Sequence, residues 1–211
     1  MRVRYDYVLW DFDGTLADSL GHALHVFNEL SPQHGFKPIE DHERVREMTS
    51  RQFLSEHRVP MWKVPMLFAA FLAAFRKDLD QIGINAGVLA CVQGLSAAGI
   101  RQAIVSSNEE SNILAWLTHH RLDAYFESVT GYSRLFGKEK PLRKQVEASN
   151  LPPERLLYVG DEVRDIEAAR AAGIDVAAVS WGMNSAALLA RHAPTLLVAK
   201  PSRLVRHCVG S

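Results

Sequence analysis

Cysteine is scarce in this chain: there are two, Cys91 and Cys208, in neither metal-ligand nor redox spacing. That excludes a disulfide-stapled scaffold and points to a reducing compartment, so a cytoplasmic protein is expected. Excess charge is absent too, with 24 Lys plus Arg against 24 Asp plus Glu. No global field draws the chain to nucleic acid or an anionic membrane, and neither partner is expected. Long apolar runs are missing. The most apolar stretch, Pro65 to Phe75, is about half the roughly 20 residues that a membrane span requires. Near the start, Asp11 and Asp13 interrupt any run long enough for a signal peptide. No internal repeat or low-complexity tract stands out. What remains is 211 residues, 47% hydrophobic and 23% charged, which is ordinary for a globular protein of one large domain, or a domain and a smaller one.

One stretch organises the rest. Val8-Leu9-Trp10 reads as a buried strand that ends abruptly in Asp11-Phe12-Asp13-Gly14-Thr15. Two acids separated by one residue are costly to bury without a positive partner. A metal ion or a lysine should sit beside them, with the other half of the site much later in the chain.

From residue 18 to about 82 no strand is found. A helix is expected from Asp18-Ser19 to about Leu30, broken by Ser31-Pro32, and another from about 41 to 57. A long apolar helix should follow, with Pro65 in its first turn and its end near Leu79. Beyond Gly87 the pattern alternates. Strands are expected at 102–106, 125–130, 156–160, 175–180 and 195–198. Helices are expected at 88–98, 109–119, 140–150, 162–172, 184–191 and 201–207. Alternation of this kind argues for an α/β fold, a parallel sheet with helices on both faces. In such sheets ligands sit beyond the carboxyl ends of the strands. Three polar groups fall there: Asp11 and Asp13, then Ser106-Ser107-Asn108, then Gly160-Asp161.

A phosphate ester suits this set. Asp11 is placed to attack phosphorus. Asp13 is placed as general acid and then as base toward water. Asp161 and Asp165 lie one helical turn apart, with Asp161 facing a metal and Asp165 behind it. Two such charges about 4 Å apart repel by roughly 4 kcal/mol at an effective dielectric near 20. A hard divalent cation with oxygen ligands relieves that repulsion, and Mg²⁺ fits best. Lys138 or Lys140 would hold the phosphate and nucleophile together. Ser106, with Ser107, Asn108 and the N–H groups behind them, offers an anion site.

Four motifs in this order, Asp11-Phe12-Asp13-Gly14-Thr15-Leu16-Ala17-Asp18-Ser19, the strand ending in Ser106, the lysine at 138–140 and Gly160-Asp161 with Asp165, carry a resemblance. The chain resembles the haloacid-dehalogenase-like superfamily, in its phosphoglycolate-phosphatase-like branch, over nearly its whole length. The resemblance implies a Rossmann-like core formed by residues 1–17 and 83–211. A small all-helical cap, residues 18–82, would be inserted after the first strand, with hinges near 16–19 and 82–87. It also implies Mg²⁺ dependence and an aspartyl-phosphate intermediate. Carried over by position, Asp11 is nucleophile and metal ligand. Asp13 is the acid/base with its backbone carbonyl on the metal, Ser106 binds phosphate, and Asp161 and Asp165 hold the metal. The family's dehalogenases lack the second aspartate of the first motif, so Asp13 favours phosphate chemistry. The lysine departs from the pattern. Many relatives place it directly before a proline, which selects Lys140, whereas the distance back from Asp161 favours Lys138; both stay open.

Blander roles compete. Ser106-Ser107-Asn108 would serve as an ordinary helix cap, and Asp161 could simply cap the helix after it. His22 with His25, and His119 with His120, lack a third ligand. Trp62, Phe68, Phe71 and Phe75 form an apolar stripe that reads as core, a cap–core contact or a subunit contact, leaving monomer and homodimer both open. Among Arg44, Arg46 and Arg51, one would be within reach of a second anionic group of the substrate, although ordinary surface arginines are the default. The expected partner is a small-molecule phosphate ester, a phosphorylated metabolite that is phosphoglycolate-like or a sugar phosphate. Phosphomutase or phosphotransferase chemistry and a non-catalytic phosphate-binding module are the alternatives to hydrolysis.

Overall fold

The computed structural model describes residues 3–210. Six parallel strands form one sheet in the order β3-β2-β1-β4-β5-β6. They are β1 (Tyr7–Trp10), β2 (Arg101–Ser106), β3 (Ser128–Gly131), β4 (Leu156–Gly160), β5 (Asp175–Val179) and β6 (Leu196–Val198). The run of apolar residues in β1 places it at the centre, buried along its whole length, as expected for a strand covered on both faces. Helices α5 (Val88–Ala97), α6 (Glu110–His120) and α10 (Pro201–Val209) supply one face of the core, where Val92, Trp116 and Leu204 meet Val8 and Trp10. Helices α7 (Glu139–Ser149) and α8 (Val163–Ala172) supply the other, through Leu142 and Ile166 against Leu9 and Tyr158. Helix α9 (Ala186–Arg191) lies between β5 and β6 in the chain.

The strand order reverses between β1 and β4, which opens the crevice where such sheets bind ligands. The chain leaves β1 there and enters a helical insertion. It comprises α1 (Leu20–His34), α2 (His42–Arg46), α3 (Ser50–Glu56) and α4 (Val64–Lys77). Leu24, Phe27, Phe36, Ile39, Val45, Leu54, Val59 and Val64 form its own apolar cluster. The outgoing and returning segments run side by side. Asp18 N–H donates to the Gly83 carbonyl at 2.9 Å and Asn85 N–H to that of Leu16 at 3.0 Å.

Several boundaries differ from the sequence expectation. Helix α1 does not stop at Ser31-Pro32. It passes through Pro32 to His34, and Gly35, in the left-handed region at φ 69°, closes it with an N–H bond to Ser31. Pro32 takes one donor out of the hydrogen-bond ladder, and the helix runs on for two residues before Gly35 closes it. The single helix expected over 41–57 is two. Thr49 and Gln52 form a reciprocal capping box that starts α3 afresh. The strand expected over 125–130 is confined to β3, because Asp123–Tyr125 forms a 3-10 turn first. Among the described residues no single helix is long and apolar enough to cross a membrane.

Candidate active site

The extended backbone of β1 continues one residue beyond the strand, with Asp11 N–H donating to Val159 at 2.8 Å. Extended chain alternates its side chains between faces. Phe12 turns into the core against Trp116 (ring centroids 5.0 Å apart) and Phe75 (5.6 Å), which leaves Asp11 and Asp13 in the crevice. Asp11 is buried. Its Oδ1 accepts from Phe12 N–H at 2.8 Å and its Oδ2 from Lys138 Nζ at 2.6 Å. Asp13 accepts from Ser19 Oγ at 2.9 Å and Asn108 Nδ2 at 3.0 Å. Burial and the charge of Asp11 push the Asp13 carboxyl up to about 6, against the lowering effect of those two bonds.

The later strand ends complete the cluster. Lys138, just before α7, also donates from Nζ to Asp165 Oδ1 at 2.5 Å. Burial lowers its affinity for the proton, but Asp11 and Asp165 outweigh that and hold it well above the ordinary lysine value. Lys140 is exposed on α7. The two lysines are thus separated: Lys138 stands in the site and Lys140 at the surface. Asp165 Oδ2 accepts from Glu162 N–H at 2.9 Å, within a capping box between Glu162 and Asp165. Glu162, not Asp161, is therefore the residue that caps α8. Asp161 accepts from Thr15 Oγ1 at 2.7 Å and Met183 N–H at 2.6 Å. Burial, then Asp165 and Glu162, push its carboxyl well above the carboxylate range. Burial likewise raises Asp165, with Lys138 opposing.

Ser106 ends β2, fully buried, and its Oγ accepts from Asn108 N–H at 3.2 Å. Ser107 is buried beside the crevice. Both ends of the Asn108 amide are engaged: Nδ2 on Asp13, Oδ1 accepting from Glu109 N–H and Asn112 Nδ2. It fixes Asp13 in this structure. None of the three caps α6 through its side chain; Glu109 occupies the cap position.

Asp11, Asp161 and Asp165 each present an oxygen, and these lie within 4.8 Å of one another, all buried. Asp13 is not in that group; the metal role that the resemblance implies for it runs through its backbone carbonyl. Three buried carboxyl groups face one ammonium, a shortage of positive charge that adds to burial in raising the Asp161 carboxyl. An all-oxygen donor set of this kind suits a hard divalent cation such as Mg²⁺.

Several supporting residues carried no role in the sequence reading. Asn85 donates to the carbonyls of Gly14, Thr15 and Ala17 at 3.0–3.2 Å and pins the loop after β1. Gly14 has φ +72°, and a Cβ there would stand 2.3 Å from Asp161 Oδ2. Gly182 is as tight: its Cβ would stand 2.2 Å from the same oxygen. Ser19 and Thr15 belong to the opening motif, yet their partners are visible only in three dimensions. The three arginines near Met48 are engaged elsewhere. Arg46 donates to the carbonyls of Gly182 and Ser180, Arg44 pairs with Glu56, and Arg51 lies over the Phe136 ring.

Residues 8–179 match the haloacid dehalogenase-like hydrolase family. The chain is 31% identical to a phosphoglycolate phosphatase of Synechococcus elongatus, over 94% of this chain and 95% of that one. It is 27% identical to phosphoglycolate phosphatase 1 of Pseudomonas aeruginosa, over 90% of this chain and 75% of the relative. A haloacid dehalogenase-like family hydrolase from Streptococcus pneumoniae superposes with a TM-score of 0.79 at 19% identity, covering 97% of this chain and 98% of its own. The chain belongs to the haloacid dehalogenase-like hydrolase family, in its phosphoglycolate-phosphatase-like branch of phosphoric monoester hydrolases.

Proposed function

We propose that this enzyme hydrolyses a small phosphate monoester through an aspartyl-phosphate on Asp11. The observation that carries the proposal is the different company of the two acids. Asp11 is paired with the ammonium of Lys138, while Asp13 is held by two neutral donors and raised to about 6. A carboxyl near that value exchanges protons readily around neutral pH. Asp11 Oδ attacks phosphorus and the phosphorus–oxygen bond to the alcohol breaks. Asp13 gives its proton to the departing oxygen. Water then attacks the phosphorus of the acyl phosphate, Asp13 takes a proton from it, and inorganic phosphate leaves with Asp11 restored. Ser106 O–H and the N–H groups after it support the phosphate oxygens, and Lys138 offsets charge between Asp11 and Asp165. Asp11, Asp161, Asp165 and the Asp13 carbonyl would hold Mg²⁺, which when bound supplies charge neutralisation at the transferring phosphoryl group.

Residues 18–82 act as the cap over a core of 1–17 and 83–211, with the paired crossings near 16–19 and 82–87 as its hinges. Buried free thiols at Cys91 and Cys208 accord with a cytoplasmic enzyme. The test is direct. With Mg²⁺ and a generic aryl phosphate, Asp11→Asn and Asp13→Asn each lose hydrolysis while keeping wild-type circular dichroism. Wild-type turnover by Asp11→Asn removes the mechanism. Inorganic phosphate equal to ester consumed separates hydrolysis from mutase or transferase chemistry. Mg²⁺-dependent binding of a phosphate mimic, without turnover on any ester, would instead mark a binding module.

A further inference from the structure

The crevice does not end at the carboxylates. A cavity of about 180 Å³ runs from Asp13, Gly14, Ser107 and Asp161 into the helical insertion. Its far wall is made of Leu20, Leu24, Phe27, Phe53, Phe68 and Phe71. Beyond the catalytic end, the side chains of Ser19, Ser50 and Glu162 are already partnered within the protein. Ser19 Oγ donates to Asp13 and Ser50 Oγ to Glu162 Oε2 at 2.8 Å. Among the described residues, Arg164 is the only lysine or arginine on the wall. Its Nη2 donates to Glu162 Oε1 at 2.5 Å and its Nη1 to the Leu135 carbonyl at 2.7 Å. Only its Nε lacks a partner among the described residues.

We infer, resting on the phosphatase reading above, that the alcohol this enzyme releases is apolar and of about benzene size, an aryl, benzyl or short alkyl group seated among those phenylalanines and leucines. A wall of this make-up suits such groups: a dry cavity lined by leucine, isoleucine and phenylalanine takes up benzene. A sugar brings several hydroxyls that this wall leaves unpartnered, and each unpartnered buried polar group costs binding. A glycolyl group brings a carboxylate, and Arg164, the cation on this wall, already donates to Glu162 Oε1 at 2.5 Å. The reading thus departs from the substrate in the names of the relatives, and the reason lies in the wall of this cavity.

The experiment is a substrate series with Mg²⁺: methyl to octyl phosphates, phenyl and benzyl phosphate, glycerol phosphate, a hexose phosphate and phosphoglycolate. The expected result is a rise in kcat/KM of about threefold to fourfold per methylene buried. The rise breaks where the chain outgrows the cavity, and phosphoglycolate and the hexose phosphate fall below butyl phosphate. Phe71→Ser lowers kcat/KM for benzyl phosphate about tenfold more than for methyl phosphate. Hydrolysis with phosphoglycolate or a sugar phosphate ahead of every apolar ester overturns the inference and leaves the phosphatase reading intact. Absence of hydrolysis on every ester overturns the phosphatase reading. A second arm decides the cavity in that case: calorimetric binding of benzylphosphonate against phosphonoacetate, both with Mg²⁺. Tighter binding of benzylphosphonate supports the apolar site, and tighter binding of phosphonoacetate overturns it.

Discussion

Replacing Lys138 by methionine removes the only ammonium between two buried carboxylates while keeping most of the side-chain volume. The ammonium is 3% exposed, Asp11 1% and Asp165 0%, with contacts of 2.6 and 2.5 Å. Breaking a buried ion pair from one side costs about 3–5 kcal/mol, because the remaining charge is left without compensation. For a chain of this size each kcal/mol lowers Tm by about 2–4 °C, so a drop of roughly 6–20 °C is expected at neutral pH without metal. The sign of the pH dependence follows from Asp165. Burial raises its carboxyl and Lys138 opposes the rise; without Lys138 it rises further. A carboxyl raised in the fold holds its proton more tightly folded than unfolded. Its contribution is therefore lost as pH climbs from the unfolded value of about 4 through the folded one. The deficit of Lys138→Met against wild type should then be larger near about pH 8 than near about pH 5. Thermal unfolding in EDTA at both pH values measures it. Lys140→Met, an exposed control, should stay within about 0.5 kcal/mol of wild type. A Lys138→Met midpoint within about 2 °C of wild type at the higher pH, or a deficit that ignores pH, refutes the reasoning.

Three further outcomes are expected. Gly182→Ala drives a methyl group to 2.2 Å from Asp161 Oδ2; the Mg²⁺ concentration for half-maximal activity should rise by about 10–100-fold, and an unchanged value would show that Asp161 does not serve the metal. Asn108→Ala frees one oxygen of Asp13, so kcat should fall by about tenfold or more with KM little altered, as measured by steady-state kinetics; a change in KM alone would place Asn108 on the substrate instead. The thiols of Cys91 and Cys208 are pushed up to about 12 by burial. They should resist a disulfide reagent at mildly alkaline pH in the native protein and react fully in urea, whereas prompt native reaction would contradict the packing of α5 on α10.

The architecture was legible because its signals are local. Val8 to Trp10 is apolar at every position, which belongs to a strand covered on both faces, and the later strands alternate with helices at the spacing of parallel crossovers. The misread boundaries are places where a local rule had competition. Pro32 broke the helix on paper, yet the helix runs on for two residues before Gly35 closes it. The helix over 41–57 looked continuous by periodicity, but the exchange of hydrogen bonds between Thr49 and Gln52 begins a new axis. Spacing alone left Lys138 and Lys140 unresolved, because both fall within the first turns of the same segment; only burial separates the one that reaches Asp11 from the one at the surface.

The site divides along the same line. Asp11, Asp13, Asp161 and Asp165 were readable since each stands at a strand end or one helical turn beyond it, where an acid without a partner is physically conspicuous. The residues that hold them were not. Gly182 matters because a backbone 21 residues beyond Asp161 passes against its carboxylate, and Asn85 because it returns from the insertion to the loop after β1. Neither has a pattern in one dimension. The cavity wall is the sharper case. Phe68 and Phe71 fall on one face of α4 and read as core, which they are by every local criterion. Periodicity reports that a helix face avoids water; it does not report whether protein or ligand covers that face. Here α4 packs toward a space next to the buried carboxylates that the protein leaves open, so the same stripe that signals a core residue in the sequence becomes, under the inference above, the surface that would choose the alcohol.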